Sequence, residues 1–136
     1  MKILFLCTHN SARSQIAEGM ARELERKGRH QFFSAGTEPG TVHPKAVSIM
    51  RERAIDISKH RSKALSEVPE QMDLVITLCS DAEEKCPLFP GNPRRLHWPL
   101  PDPSKFEGTE QELRSKWAGV RDDIERRLSK LLDELG

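Results

Sequence analysis

At 136 residues, of which 36% are hydrophobic and 32% charged, the chain is the size of about one domain and would bury roughly two-thirds of its unfolded surface. Its 22 basic and 21 acidic residues leave a formal net charge of +1, so no global field recruits nucleic acid or a membrane, and any anion selectivity must be local. The apolar run Ile3 to Cys7 is too short for a signal peptide and nothing is long enough to span a bilayer, which predicts a cytoplasmic protein.

In chain order, strands are expected at Lys2 to Leu6, Gln31 to Ser34, Leu74 to Leu78 and Arg95 to Trp98, with helix-like stripes between them. The first helix starts at Arg13 or Ser14, buries Ile16, Ala17, Met20, Ala21 and Leu24, and ends at Gly28. A second begins at His43 with Pro44 in its first turn, where a missing N–H costs nothing, and turns Ala46, Val47 and Met50 inward. A short helix capped by Ser80 or Asp81 is expected between Cys79 and Cys86. Pro87 to Pro103 holds six of the nine prolines and reads as a rigid loop around the fourth strand. The last helix, Thr109 to Leu135, carries Leu113, Trp117, Val120, Ile124, Leu128, Leu131 and Leu135 at spacings of three and four. The alternation predicts a single α/β domain over residues 1–136, with a four-stranded parallel sheet flanked by helices.

Cys7 ends the first strand, and Arg13 follows after a loop of short polar residues. The backbone N–H groups of Thr8, His9, Asn10, Ser11, Ala12, Arg13 and Ser14 can curl around a tetrahedral oxyanion, and the helix start and the guanidinium favour negative charge at the same point. Such a field favours a thiolate, making Cys7 a candidate nucleophile beside a phosphate-like anion. The bland alternative is a small buried residue closing a core strand. A nucleotide P-loop is excluded, since no G-x-x-x-x-G-K-[ST] occurs.

Three cysteines cannot all pair, and in a reducing compartment they argue against a static disulfide framework. Cys79 and Cys86 are seven residues apart. An intact helix would separate their Cα atoms by roughly 10 Å, whereas a disulfide needs less than ~7 Å, so bonding them would require unwinding. Spacing alone leaves open that they are unrelated thiols. Neither a cofactor motif nor metal-ligand spacing is present. Cys7, Cys79 and the segment after Trp98 all fall at the carboxyl ends of strands, where open α/β sheets bind ligands.

The segment CTHNSARSQIAEG resembles the oxyanion loop of the low-molecular-weight protein tyrosine phosphatase superfamily, especially its thioredoxin-coupled arsenate reductase branch. The likeness continues through FFSAGTEPG, VHPKAV, AIDISKHRS, DLVITLCSDAEEKCP, HWPLPDP and the last helix. It implies that Cys7 attacks arsenate, that Cys79 attacks the sulfur of Cys7 to release arsenite, and that Cys86 then takes over Cys79 in a disulfide reduced by thioredoxin. It further implies Asp102 as general acid, Arg13 gripping two anion oxygens, Ser14 hydrogen-bonding the Cys7 thiolate, Asn10 shaping the loop, and phosphate or sulfate as competing anions. Arsenic detoxification would be the biological role.

A tyrosine phosphatase using Cys7, Arg13 and Asp102 is the alternative on this fold. The stretch TEPGTVHPKA, however, lacks the aromatic residues and D-x-R motif that line a phosphotyrosine entrance, and the chain contains no tyrosine. A non-catalytic oxyanion-binding or redox-sensing module is a third class, disfavoured by the intact Cys7, Arg13 and Asp102. The chain departs from its relatives at two places. His9 stands where glycine is frequent, and Lys63 stands where some reductases complete a potassium site otherwise formed by the positions of Asn10, Glu18 and Ser34. An ammonium there disfavours the cation and can pair with Glu18 instead.

Overall fold

The computed structural model describes residues 1–80 and 89–136. Strands β1 (Lys2–Cys7), β2 (Gln31–Gly36), β3 (Leu74–Thr77) and β4 (Arg94–His97) form one parallel sheet in the order β2-β1-β3-β4. Helices α1 (Arg13–Leu24), α2 (Pro44–Arg51) and α3 (Glu110–Leu135) flank it.

The period of two in β1 explains why it is central. Ile3 and Phe5 point into the cluster shared with α1, α2 and α3, while Leu4 and Leu6 point the other way, against Ala35, Val68, Met72, Val75 and Phe89. A strand apolar on both faces suits only the middle of a parallel sheet. The α3 stripe packs as expected, with Trp117, Ile124, Leu128 and Leu131 buried. Thr109 and Glu112 form a reciprocal capping box that starts this helix: the Thr109 hydroxyl accepts from the Glu112 N–H, and the Glu112 carboxylate from the Thr109 N–H.

Strand positions agree with the sequence reading to within one or two residues, but two helices differ in detail. α1 stops at Leu24 rather than running to Gly28. The Glu25 carboxylate accepts from the N–H groups of Lys27 and Arg29 and folds the chain away early, which leaves Leu24 39% exposed rather than on the buried face. In α2 the inward residues are Ala46, Ile49 and Met50, an i, i+3, i+4 set, with Val47 at the margin. The short helix expected between Cys79 and Cys86 lies outside the described residues, apart from its proposed cap Ser80.

The order β2-β1-β3 makes the carboxyl ends of β1 and β3 a switch point, with connections leaving to opposite sides. Leu6 pairs with Thr77 in the register, and the Leu78 N–H donates to the Leu6 carbonyl at 2.9 Å. Cys7 and Cys79 therefore emerge from neighbouring strands at the same edge.

Candidate active site

Between β1 and α1 the chain must turn within five residues, and Asn10 allows this by taking φ +50°, a left-handed conformation that asparagine tolerates better than most. The carbonyls of the loop are all engaged. Glu38 N–H donates to Thr8, the Ser62 hydroxyl to His9, Gln15 Nε2 to Asn10, His43 N–H to Ser11 and Ile16 N–H to Ala12, at 2.8–3.1 Å. Acceptors held this way are turned toward their own partners, which removes the groups that would repel an anion in the loop.

Gly36 backs the loop from the end of β2. A Cβ there would lie 2.6 Å from the Thr8 carbonyl oxygen and 2.9 Å from the Asn10 nitrogen, so only glycine fits. The sequence reading placed Gly36 just beyond its strand and assigned it no role; the signal was the small-residue run Ser34-Ala35-Gly36.

Cys7 is a free, buried thiol whose Sγ is 2.8 Å from Ser14 Oγ. The direction of the hydrogen bonds behind it is fixed. Lys63 N–H and Gln15 Nε2 both donate to Asn10 Oδ1, so Asn10 Nδ2 must point the other way, and it donates to Ser14 Oγ at 2.7 Å. The Ser14 hydroxyl hydrogen is then available to Cys7, making the sulfur the last acceptor of a chain of donors.

Arg13 is 3% exposed, and its Nη1 donates to the carbonyls of Leu78 and Leu100 at 3.2 and 3.1 Å. It thus joins the Cys7 loop to the chain entering Cys79 and to the chain entering Asp102. Cys79 is fully buried and disulfide-bonded. Cys86 lies outside the described residues. Asp102 caps a 3-10 turn at Pro103–Lys105, its carboxylate accepting from Ser104 N–H at 3.0 Å and Ser104 Oγ at 2.7 Å. His9 is exposed and donates from Nδ1 to the Glu38 carbonyl at 3.0 Å, on the outer side of the loop.

Two histidines, His43 and His60, belong to this site's support. His43 caps α2, pins Ser11 through its N–H and rests on Trp117 with ring centroids 4.6 Å apart. Burial and the Lys45 ammonium hold it below the ordinary histidine range, and Asp102 pulls the other way. His60 Nδ1 lies 3.2 Å from Gln15 Oε1. Burial lowers its pKa most; Glu18 opposes this, while Arg22 and Lys63 add to it. Among the described residues, no buried side-chain nitrogen or oxygen lacks a partner.

A single four-stranded parallel sheet flanked by helices is the fold of the low molecular weight phosphotyrosine protein phosphatases, whose family model matches residues 2–136. The chain belongs to that family. An arsenate reductase of Bacillus licheniformis is 44% identical over 132 residues, covering 96% of this chain and 94% of its own. A solved structure of an arsenate reductase in the phosphate binding state superposes with a TM-score of 0.82 at 32% identity, covering 99% of this chain and 98% of the other. The thioredoxin-dependent arsenate reductase of Corynebacterium glutamicum matches with a TM-score of 0.60 at 29% identity, covering 94% of this chain and 61% of that longer one.

Among the described residues, no helix is long and apolar enough to cross a membrane and no group of three or more His, Cys, Asp or Glu could hold a metal ion. A potassium site of the kind the sequence resemblance raised does not fit the residues here. The Lys63 Nζ sits 3.4 Å from Ser34 Oγ and 3.7 Å from Glu18 Oε1, so a cation on those oxygens would meet an ammonium at close range.

Proposed function

We propose that the chain is a cytoplasmic arsenate reductase that uses Cys7, Cys79 and Cys86 in turn and takes its electrons from thioredoxin. The observation that carries this reading is the parallel pairing of β1 with β3, which brings Cys7, with its anion loop, and Cys79 to one edge of the sheet. The curated relatives named arsenate reductase support the substrate, and the Corynebacterium glutamicum structure supports the reductant.

The chemistry follows from the groups present. The Cys7 thiolate attacks arsenic and displaces one oxygen, which leaves as water after Asp102 donates a proton. Asp102 has to exchange its Ser104 contacts for the leaving oxygen during this step. Arg13, anchored through Nη1, and the loop N–H groups carry the anion's charge. The Cys79 thiolate then attacks Cys7 Sγ. The sulfur–arsenic bond breaks, its electron pair leaves with arsenic as arsenite, and a Cys7–Cys79 disulfide forms. Attack by the Cys86 thiolate on Cys79 frees Cys7 and passes the disulfide outward for thioredoxin's two thiols to reduce. A free Cys7 beside a disulfide-bonded Cys79 agrees with the end of that sequence.

Cys86→Ser tests the relay. It should release about one arsenite per enzyme and stall with Cys7 bound to Cys79, while Cys7→Ser releases none. Sustained thioredoxin-dependent turnover by Cys86→Ser would overturn the mechanism.

A further inference from the structure

Lys63 reaches the site through three of its groups. Its N–H donates to Asn10 Oδ1 at 2.8 Å, its carbonyl accepts from Gly36 N–H at 2.9 Å, and its ammonium donates to the Arg61 carbonyl at 3.0 Å and to Ser34 Oγ at 3.4 Å. Ser34 in turn donates to Glu18, a carboxylate whose side chain is only 4% exposed. Glu18 also meets Arg22 at 2.6 Å, but that arginine is 51% exposed, whereas the Lys63 side chain is 18% exposed. Water screens Arg22 more than Lys63. One residue therefore grips Asn10, Gly36 and the buried carboxylate behind the loop.

We infer that Lys63 is a positioning residue of this enzyme: its ammonium is a covalently tethered counter-ion for Glu18, held where a diffusible monovalent cation would otherwise be needed, and it keeps the Asn10–Ser14–Cys7 donor chain in register without potassium. The inference rests on the reading of Cys7 as nucleophile. A buried carboxylate without a counter-charge would draw other donors toward itself or take up a proton, and either event disturbs Ser34, Lys63 and, through the Lys63 backbone, Asn10. A tethered cation avoids this at any salt composition, since it does not dissociate.

The test has two parts. The melting temperature of the wild-type protein is measured in sodium chloride and in potassium chloride at equal ionic strength, alongside Lys63→Asp. The two wild-type values should coincide, and Lys63→Asp should melt lower in sodium and recover in potassium. Next, the rate of Cys7 alkylation by iodoacetamide at neutral pH, assigned to Cys7 by peptide mass mapping, is compared for wild type, Lys63→Met and Lys63→Arg. Lys63→Met should react about threefold more slowly or worse, as its thiolate loses support, and Lys63→Arg should stay near wild type. A residue that only filled space would lower the melting temperature of both variants without this ordering of rates.

A potassium-specific rise in the wild-type melting temperature would overturn the inference, and so would equal alkylation of Lys63→Met and wild type. If Lys63→Met does not fold, the wild-type salt comparison and Lys63→Arg still decide. Failure of wild type to reduce arsenate would overturn the proposed function and leave these two readouts standing.

Discussion

The two halves of the site are held in different ways. The Cys7 half is fixed from outside: its loop carbonyls are taken by Glu38, Ser62, Gln15, His43 and Ile16, which come from α1 and from chain up to about fifty residues away. The Asp102 half is organised locally, through Ser104 two residues on, and meets the loop through Arg13 and the Leu100 carbonyl. On the proposed function, the half that would bind the anion is preorganised, as electrostatic stabilisation requires, and the half bearing the proposed acid keeps contacts that can be exchanged during a proton transfer.

The largest effect should come from the exchangeable half. Asp102→Asn keeps an acceptor for Ser104 but cannot give up a proton, so arsenate turnover should fall by ~10²- to 10⁴-fold while phosphate binding, followed by calorimetry, persists. Unchanged turnover would mean the proton comes from elsewhere. Next is Gly36→Ala, which drives a methyl into the Thr8 carbonyl and the Asn10 nitrogen; a loss of about 1–3 kcal/mol in urea-unfolding stability is expected, together with weaker phosphate binding. A variant with both properties intact would show the loop to be softer than its hydrogen bonds imply.

The smallest effect is a pH response. His60 has a lowered pKa in the fold, so on acidification the unfolded chain takes up the proton first. Its contribution is complete above the ordinary histidine value near 6.5 and is lost as pH falls from there through the folded value. The urea midpoint should therefore drop between about pH 7.5 and pH 5.5, and His60→Gln, which can still donate to Gln15, should flatten that drop. An unchanged slope would assign it to His43, whose pKa is also lowered.

β1 and β3 were legible because each is a short run that sets hydrophobic residues against the core, bounded by polar or turn residues, whereas β4 contributes only the half-buried Leu96. Cys7, Arg13 and the loop could be proposed as a site from sequence because they fall within eight consecutive residues, and the structure does bring them together between β1 and α1. The supporting contacts were not legible. Gln15 with His60, Ser62 with His9 and His43 with Ser11 connect residues 32 to 53 positions apart, and nothing local distinguishes these polar side chains from solvated ones. Gly28 misled for a related reason: its positive φ of 74° was foreseeable, but the Glu25 carboxylate had already ended the helix. Lys63 was readable only as a departure from relatives, and its backbone grip on Asn10 and Gly36 was invisible.

The twofold burial of β1 has a consequence for motion. Cys7 closes a strand clamped on both faces and paired along both edges by β2 and β3. Carrying its sulfur outward by several ångströms would mean peeling the central strand from the sheet, an event approaching global unfolding in cost. Any second thiol that bonds to Cys7 must therefore do the travelling. The speed of such an encounter belongs to the incoming segment, and substitutions that stiffen or loosen β1 should leave it unaltered as long as the domain stays folded.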